Sequence, residues 1–198
     1  MEHRVKSRLL SVSLTTEEIC QLAEHYHFDE RELPHIKVLY EAVRSISDIQ
    51  VHYRLWPELK KGKRAAVCVV TLGAGVDAMQ EIYTEASELS DVYILECISA
   101  GLLEKAYKEI EQLLFEETGL YVSKYEFPGS DMPVEEVREI LAEFSMEAEE
   151  MTVSCNEACM MEPKKSVVYI VGLEEEKIRT CICENCTNTN CAHRRISE

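Results

Sequence analysis

Residues 65–77 read AAVCVVTLGAGVD. From Ala65 to Thr71 the chain is apolar or β-branched and then meets Gly73 and Gly75. A short run of this kind reads as a buried strand that delivers the chain into a glycine turn. The amphipathic stretch 77–89 after it reads as a helix. A strand, a glycine turn and a helix in succession invite a nucleotide-binding reading. The turn fails the dinucleotide pattern, because G-A-G-V-D-A lacks the third glycine that lets helix and strand pack closely. No Gly-Lys-Ser/Thr follows, so a phosphate-binding P-loop is excluded. The turn is therefore read as a connection that needs a positive φ. Its helix start still exposes N–H groups able to meet a phosphate or carboxylate.

Working outward, Ile49 to Leu55 alternates as a strand that ends at Trp56-Pro57, before the basic loop KKGKR (60–64). Upstream, residues 13–40 look helical: Thr15 or Thr16 can cap, Glu17 and Glu18 follow, and Ile19, Leu22 and Ala23 recur at helical spacing. Pro34 interrupts, and 35–46 reads as a second helix. Downstream, 91–96 is short and apolar, 99–117 is a long amphipathic helix, and 121–127 is a strand. The loop PGSDMP (128–133) leads into a helix over 134–144, with strands expected at 151–154 and 166–171. Strands alternate with helices, so the class is α/β or α+β: a single mixed domain with flanking helices. The expected organisation is an N-terminal helical arm (1–48), an α/β domain (49–178) and a cysteine-rich tail (179–198).

The formal net charge of −16 argues against a nucleic-acid partner, because phosphate binding needs clustered Lys and Arg. The excess acid is read as a solvated surface, with steering toward a basic protein face as the functional alternative. No apolar run approaches the ~20 residues that span a bilayer, so no membrane is expected. The first twenty residues have no uninterrupted apolar core, and the expected location is the cytoplasm.

The chain has nine cysteines. Cys20, Cys68 and Cys97 fall in apolar periodic segments and read as small core hydrophobes. The tail holds Cys181, Cys183, Cys186 and Cys191 in a C-x-C-x₂-C-x₄-C spacing, neither a pair of zinc knuckles nor a standard ferredoxin run. Four thiols within eleven residues can converge on one soft ion. An iron–sulfur cluster, structural zinc and thiols that stay reduced are the three readings, with Cys155 and Cys159 as further possible ligands. His25, His27 and His35 match no standard metal spacing and read as surface or satisfied residues.

Two loop segments remain. KYEFPGSDMP (124–133) is a strand ending in a loop held by two prolines around a glycine, which can present backbone N–H and C=O groups to a flat ligand. SCNEACMMEPKKSVVYIVGL (154–173) is a loop leading through Pro163 into a strand with Ser166 at its start.

The order of these elements resembles the reactivation domain of cobalamin (vitamin B12)-dependent methionine synthase and its small stand-alone relatives. MMEPKKSVVYIVGL is similar to that family's Met-x-Pro-x-x-Ser-Val segment, at Met161, Pro163, Ser166 and Val167. KYEFPGSDMPVEEVREIL looks like its Arg-x-x-x-Gly-Tyr loop and the helix after it, with the arginine falling at Lys124 and the tyrosine absent. TLGAGVD and EKAYKEIEQLL (104–114) lie in the expected order. The resemblance implies a curved, largely antiparallel sheet and a pocket for S-adenosylmethionine. That pocket would be lined by Lys124, Glu126, Pro128, Gly129 and Ser130, with Pro163 and Ser166 as its neighbouring wall. It implies a corrinoid protein or cobalamin-dependent methyltransferase as partner, which carries the corrinoid. Once its cobalt has been reduced by an electron donor, the domain presents the methyl group that restores the active cofactor. The cysteine tail looks like that of some stand-alone relatives, and a cluster there could deliver the electron. The alternative is a corrinoid-protein binder or metal-binding redox protein that no longer uses S-adenosylmethionine.

Overall fold

The apolar run that ends at the glycine turn is the central strand of the molecule. β3 (Arg64–Thr71) pairs antiparallel with β2 (Gln50–Trp56) on one side and with β7 (Ser166–Glu174) on the other. Beyond these lie β1 (Lys6–Leu9) against β2 and β4 (Tyr121–Glu126) against β7, giving the order β1-β2-β3-β7-β4, antiparallel throughout. The computed structural model describes residues 4–56, 64–148 and 151–177. Among them, no helix is long and apolar enough to cross a membrane.

Successive side chains of a strand point to opposite faces, and both faces of β3 are closed. Ala66, Cys68 and Val70 enter one hydrophobic core, while Ala65, Val67 and Val69 enter another, all fully buried. A strand covered on both sides needs no polar alternation, hence its continuous apolar run.

The first core is roofed by α1 (Thr16–His25), α2 (Leu33–Ile46), the start of α3 (Ala74–Glu85) and α4 (Leu89–Thr118). Thr15 and Glu18 form a reciprocal capping box at the start of α1, and Pro34 sits in the first turn of α2, where a missing N–H is harmless. α4 is one helix of 30 residues that includes the apolar stretch 91–96. Ile94, Leu95, Ile98 and Leu102 are all buried at helical spacing, so the stripe that packs on the sheet runs unbroken through the segment. Tyr107 on α4 meets Tyr125 and Tyr169 of the sheet at centroid separations of 5.9 and 5.2 Å, both edge-on.

The second core is covered by α5 (Glu136–Glu147), through Val137, Ile140, Leu141 and Phe144, and by a small hairpin of β5 (Ser154–Cys155) and β6 (Met161–Glu162). The strand expected at 151–154 is thus a two-residue strand starting at Ser154, and Val153 is a buried anchor before it. Arg54 reaches from β2 to α5, with its guanidinium over the rings of Trp56 and Phe144 and bonded to Glu143 at 2.5 Å and Glu147 at 3.3 Å.

Besides its helices, the N-terminal segment contributes β1, which the sequence reading did not find. KSRL is short and mostly polar, as suits an exposed edge strand, and its order comes from pairing with β2. The glycine turn has two distinct reasons for its glycines. Gly73 adopts φ +86° at the start of α3, and a Cβ on Gly75 would lie 2.5 Å from the carbonyl oxygen of Ile46. The first glycine turns the chain; the second lets α3 approach the end of α2.

Candidate functional site

Strand parity places three of the candidate residues, Lys124, Glu126 and Ser166, on one face. Glu126 lies opposite Ile170 and Lys124 opposite Gly172. Ile170 belongs to the second core, so Lys124 and Glu126 stand on that same face, at the sheet edge. A bulge lies between Val122 and Lys124, and Gly172 makes room for it: a Cβ there would come within 2.9 Å of Ser123 Oγ. Lys124 Nζ and Glu126 Oε1 are 2.6 Å apart, and that bond holds the lysine above its ordinary pKa. Both side chains are well exposed, so the pair adds little stability.

The loop beyond Glu126 is tied to itself. Phe127 N donates to the Asp131 carboxylate at 3.0 Å, and Phe127 O accepts from the N–H groups of Ser130 and Asp131 at 3.1 and 2.8 Å. Gly129, at φ +82°, donates its N–H to Met132 O at 2.8 Å, and Pro128 bridges to Met132. Three consecutive N–H groups are therefore turned inward. The loop is rigid, as its composition implies, but Gly129, Ser130 and Asp131 spend their donors on the loop itself. Met132 anchors it to the second core.

Ser166 opens β7 on that same face, and Pro163 precedes it in the chain. Pro163 is buried, and Ser166 is 4% exposed and opposite Thr71 in the ladder. Ser166 Oγ donates to Thr71 Oγ1 at 2.8 Å, and that oxygen also accepts from Gly73 N at 3.1 Å. This relay fastens β7 to the glycine turn. Asp77, in the first turn of α3, accepts from Lys164 N at 2.5 Å, and its Oδ1 is buried with no hydrogen-bond partner among the described residues. Lys165 pairs with Glu96, which also accepts from Gln80 at 3.1 Å. Thr71 and Asp77 were missed as site-forming residues, although both lie in or beside the quoted turn. A Thr before a glycine turn and an Asp in a first helical turn are the signals that could have found them.

Four steps along β7 lead from Ser166 to Ile170, about 13 Å at ~3.3 Å per residue. Along that stretch Val168 and Ile170 are buried in the second core under α5, so the two ends are separate polar positions on the second face. The Lys124–Glu126 pair marks one end and the Pro163–Ser166 fastening marks the other. What the face leaves exposed is the charged pair at the sheet edge beside the self-bonded 127–133 loop.

The cysteines divide by environment. Cys68 and Cys97 are fully buried, and burial pushes their thiols up to about 12 and about 11. Cys20 is half-buried. Among the described residues, no group of three or more His, Cys, Asp or Glu side chains is placed to hold a metal ion. Cys181, Cys183, Cys186 and Cys191 lie outside the described residues. His35 Nε2 is 2.8 Å from Asp91 in an exposed pair.

No family model matches the chain, and no curated protein matches it in sequence. A solved structure does match: the crystal structure of the MetH reactivation domain bound to AdoHcy. The TM-score is 0.61, the match covers 91% of this chain and 82% of that chain, and the sequence identity is 10%. At that identity the likeness is one of fold, and the chain accordingly has the helix-flanked, largely antiparallel mixed α/β architecture of a reactivation domain.

Proposed function

We propose that this protein binds S-adenosylmethionine on the second face of its sheet and serves the reductive reactivation of a corrinoid protein. The observation that carries the reading is the fold likeness to a reactivation domain with AdoHcy bound, over nine-tenths of the chain. The placement of Lys124, Glu126 and Ser166 on one face of the sheet supports it. Pro128, Gly129, Ser130 and Pro163 complete the proposed pocket. In this reading Lys124 opens its pair with Glu126 to meet the ligand carboxylate, as a point charge rather than a bidentate fork. Glu126 then accepts from the ligand, and the 127–133 loop supplies a wall with little conformational entropy left to lose. Pro163 and Ser166 hold the far wall. The corrinoid on the partner supplies the methyl-accepting chemistry, while this chain positions the donor.

Calorimetric titration of the chain with S-adenosylmethionine tests the reading. Saturable binding that weakens in Lys124→Ala is expected. Absence of heat at millimolar ligand removes the methyl-donor role.

A second reading is favoured by the engaged donors. Three loop N–H groups and the Ser166 hydroxyl are bonded within the protein, and Lys124 already has a carboxylate. A corrinoid-protein binder that has dispensed with S-adenosylmethionine would need none of them free. It predicts association with a corrinoid protein that added S-adenosylmethionine leaves unchanged. Either reading leaves room for Cys181, Cys183, Cys186 and Cys191 to hold an iron–sulfur cluster or zinc, with a cluster relaying the reactivating electron from a donor. Anaerobic purification followed by metal analysis separates these: a brown, iron-loaded chain supports electron delivery, and a colourless, zinc-loaded chain opposes it.

A further inference from the structure

The acidic excess of the chain is not spread evenly. Between Arg64 and Lys105 there is no lysine, arginine or histidine, while Asp77, Glu81, Glu85, Glu88, Asp91 and Glu96 lie on or between α3 and α4. Half of these acids are already engaged: Asp77 by Lys164 N, Asp91 by His35 and Glu96 by Lys165. Glu81, Glu85 and Glu88 are exposed, and their side chains form no ion pair among the described residues. Glu81 and Glu85 stand one turn apart in the last turns of α3, where the helix dipole is negative and no basic residue occurs. Mutual repulsion and the dipole both oppose this placement, and a cation brought alongside relieves both.

The same pair of helices holds large apolar side chains in water. Ile82 is 64% exposed, Leu89 69% and Tyr93 50%. The turn between the helices is tight, with Ser87 N and Glu88 N donating to Thr84 O and Tyr83 O at 3.0 Å each. Gln80 on α3 donates to Glu96 on α4 at 3.1 Å, so α4 folds back along α3. Two residues on from Gln80 and two back from Glu96 set Ile82 level with Ile94, next to Tyr93. Leu89 and Tyr93 are one turn apart on the same side of α4. Tyr93 packs on Phe28 and Tyr26 at centroid separations of 5.6 and 6.4 Å, which fixes its ring before any partner arrives. Ile82 lies three residues before Glu85, and Leu89 follows Glu88, so carboxylates border the apolar side chains. Exposed apolar residues scattered singly are ordinary, but three on one helical hairpin with an acidic border mark an interaction surface.

We propose that the α3–α4 hairpin docks a partner protein through a segment that presents lysine or arginine around an apolar stripe. Charge decides the occupant: the free carboxylates of Glu81, Glu85 and Glu88 call for cations, and Ile82, Leu89 and Tyr93 call for apolar side chains between them. A second copy of this chain is the wrong occupant, since each copy brings a formal charge of −16. The hairpin belongs to the helical roof of the first core, across the sheet from Lys124 and Glu126, so a docked partner leaves the second face open. The proposal does not rest on S-adenosylmethionine binding.

The probe is a fluorescent synthetic peptide with leucine and lysine at helical spacing, titrated with the full chain and read by anisotropy. Saturable binding of one peptide per chain is expected, weakening as salt rises. The pair Ile82→Ser and Leu89→Ser, and separately the triple Glu81→Gln, Glu85→Gln and Glu88→Gln, should each weaken it by about tenfold or more. Glu135→Gln, Glu136→Gln and Glu139→Gln remove the same charge from α5 and should leave affinity within about twofold. Circular dichroism shows that the variants remain folded. The proposal is overturned if no saturable binding occurs, or if a peptide with serine in place of leucine binds as tightly. It is equally overturned if the α5 variant weakens binding as much as the α3 variant. A dimer of the chain in analytical ultracentrifugation that Leu89→Ser dissolves would also overturn it, by giving the surface to a second copy.

Discussion

The two faces of the sheet share the same strands but use them differently. The first face is closed by four helices, and its polar groups mostly serve to fasten them: Tyr53 and Tyr125 hydroxyls donate to Glu117 and Glu111 at 2.7 Å each, and Tyr40 accepts from Leu14 N at 2.7 Å. The second face has one helix, a hairpin and loops, and it holds the Lys124–Glu126 pair, the 127–133 loop, the Ser166–Thr71–Gly73 relay and two half-buried thiols. A face closed by long helices leaves little room for chemistry. A face closed by short elements keeps backbone and polar side chains within reach of a ligand.

Thiol reactivity is the widest expected contrast between them. Cys155 and Cys159 should label readily, whereas Cys68 and Cys97 wait for global unfolding. With native unfolded fractions of about 10⁻³ or less, the difference is at least roughly a thousandfold. Iodoacetamide labelling read by peptide mass spectrometry measures it, and native labelling of Cys68 at the rate of Cys155 would break the distinction.

Next in size is the loss of a first-face anchor. Ile110→Ala removes a side chain that is 1% exposed under the middle of α4 and should cost about 2–5 kcal/mol in urea unfolding. Met161→Leu on the second face, close to volume-conserving, should cost less than ~1.5 kcal/mol. Equal losses would mean that the hairpin is as central to stability as α4.

Arg54→Ala should cost about 2 kcal/mol, chiefly from its stacking on Trp56 and Phe144. Glu143 and Glu147 are partly exposed, and water can take over the guanidinium's bonds. A loss matching that of Ile110→Ala in the same unfolding assay would show that these carboxylates are left desolvated.

The smallest effect is electrostatic. The Lys105 ammonium and the Thr15 N–H hold the Glu18 carboxyl at about 2, below its ordinary 4.5. A depressed carboxyl stabilises the fold above about pH 4.5, and that contribution is lost as pH falls through about 2. Glu18→Gln should therefore flatten the decline of stability between those values, by less than ~1 kcal/mol for so open a pair. An unchanged acid limb in Glu18→Gln would show that the pair is already broken in solution.

What could be read in advance follows from the range of the interactions. The capping box at Thr15 and Glu18 is a local bond, and the sequence pattern narrowed the cap to Thr15 or Thr16. β3 and the Gly73 turn were legible because an apolar run and a required positive φ are properties of a few adjacent residues. β1 was not, since KSRL has no apolar alternation and is ordered only by β2. The 91–96 stretch was left undecided because a short apolar run suits a strand or a helix, and α4 continues through it by packing on the sheet. The site shows the same division. Composition marked PGSDMP as a rigid loop, yet only the folded chain reveals that Gly129, Ser130 and Asp131 bond within it.

By itself, the sequence determined the class of fold, the central strand, the glycine turn and the identity of the polar segments, all governed by contacts within a few residues. Tertiary structure decided which of those segments share a face. Strand register does this, because it couples residues such as Thr71 and Ser166 across nearly a hundred positions, and a one-residue slip would send every side chain to the other side.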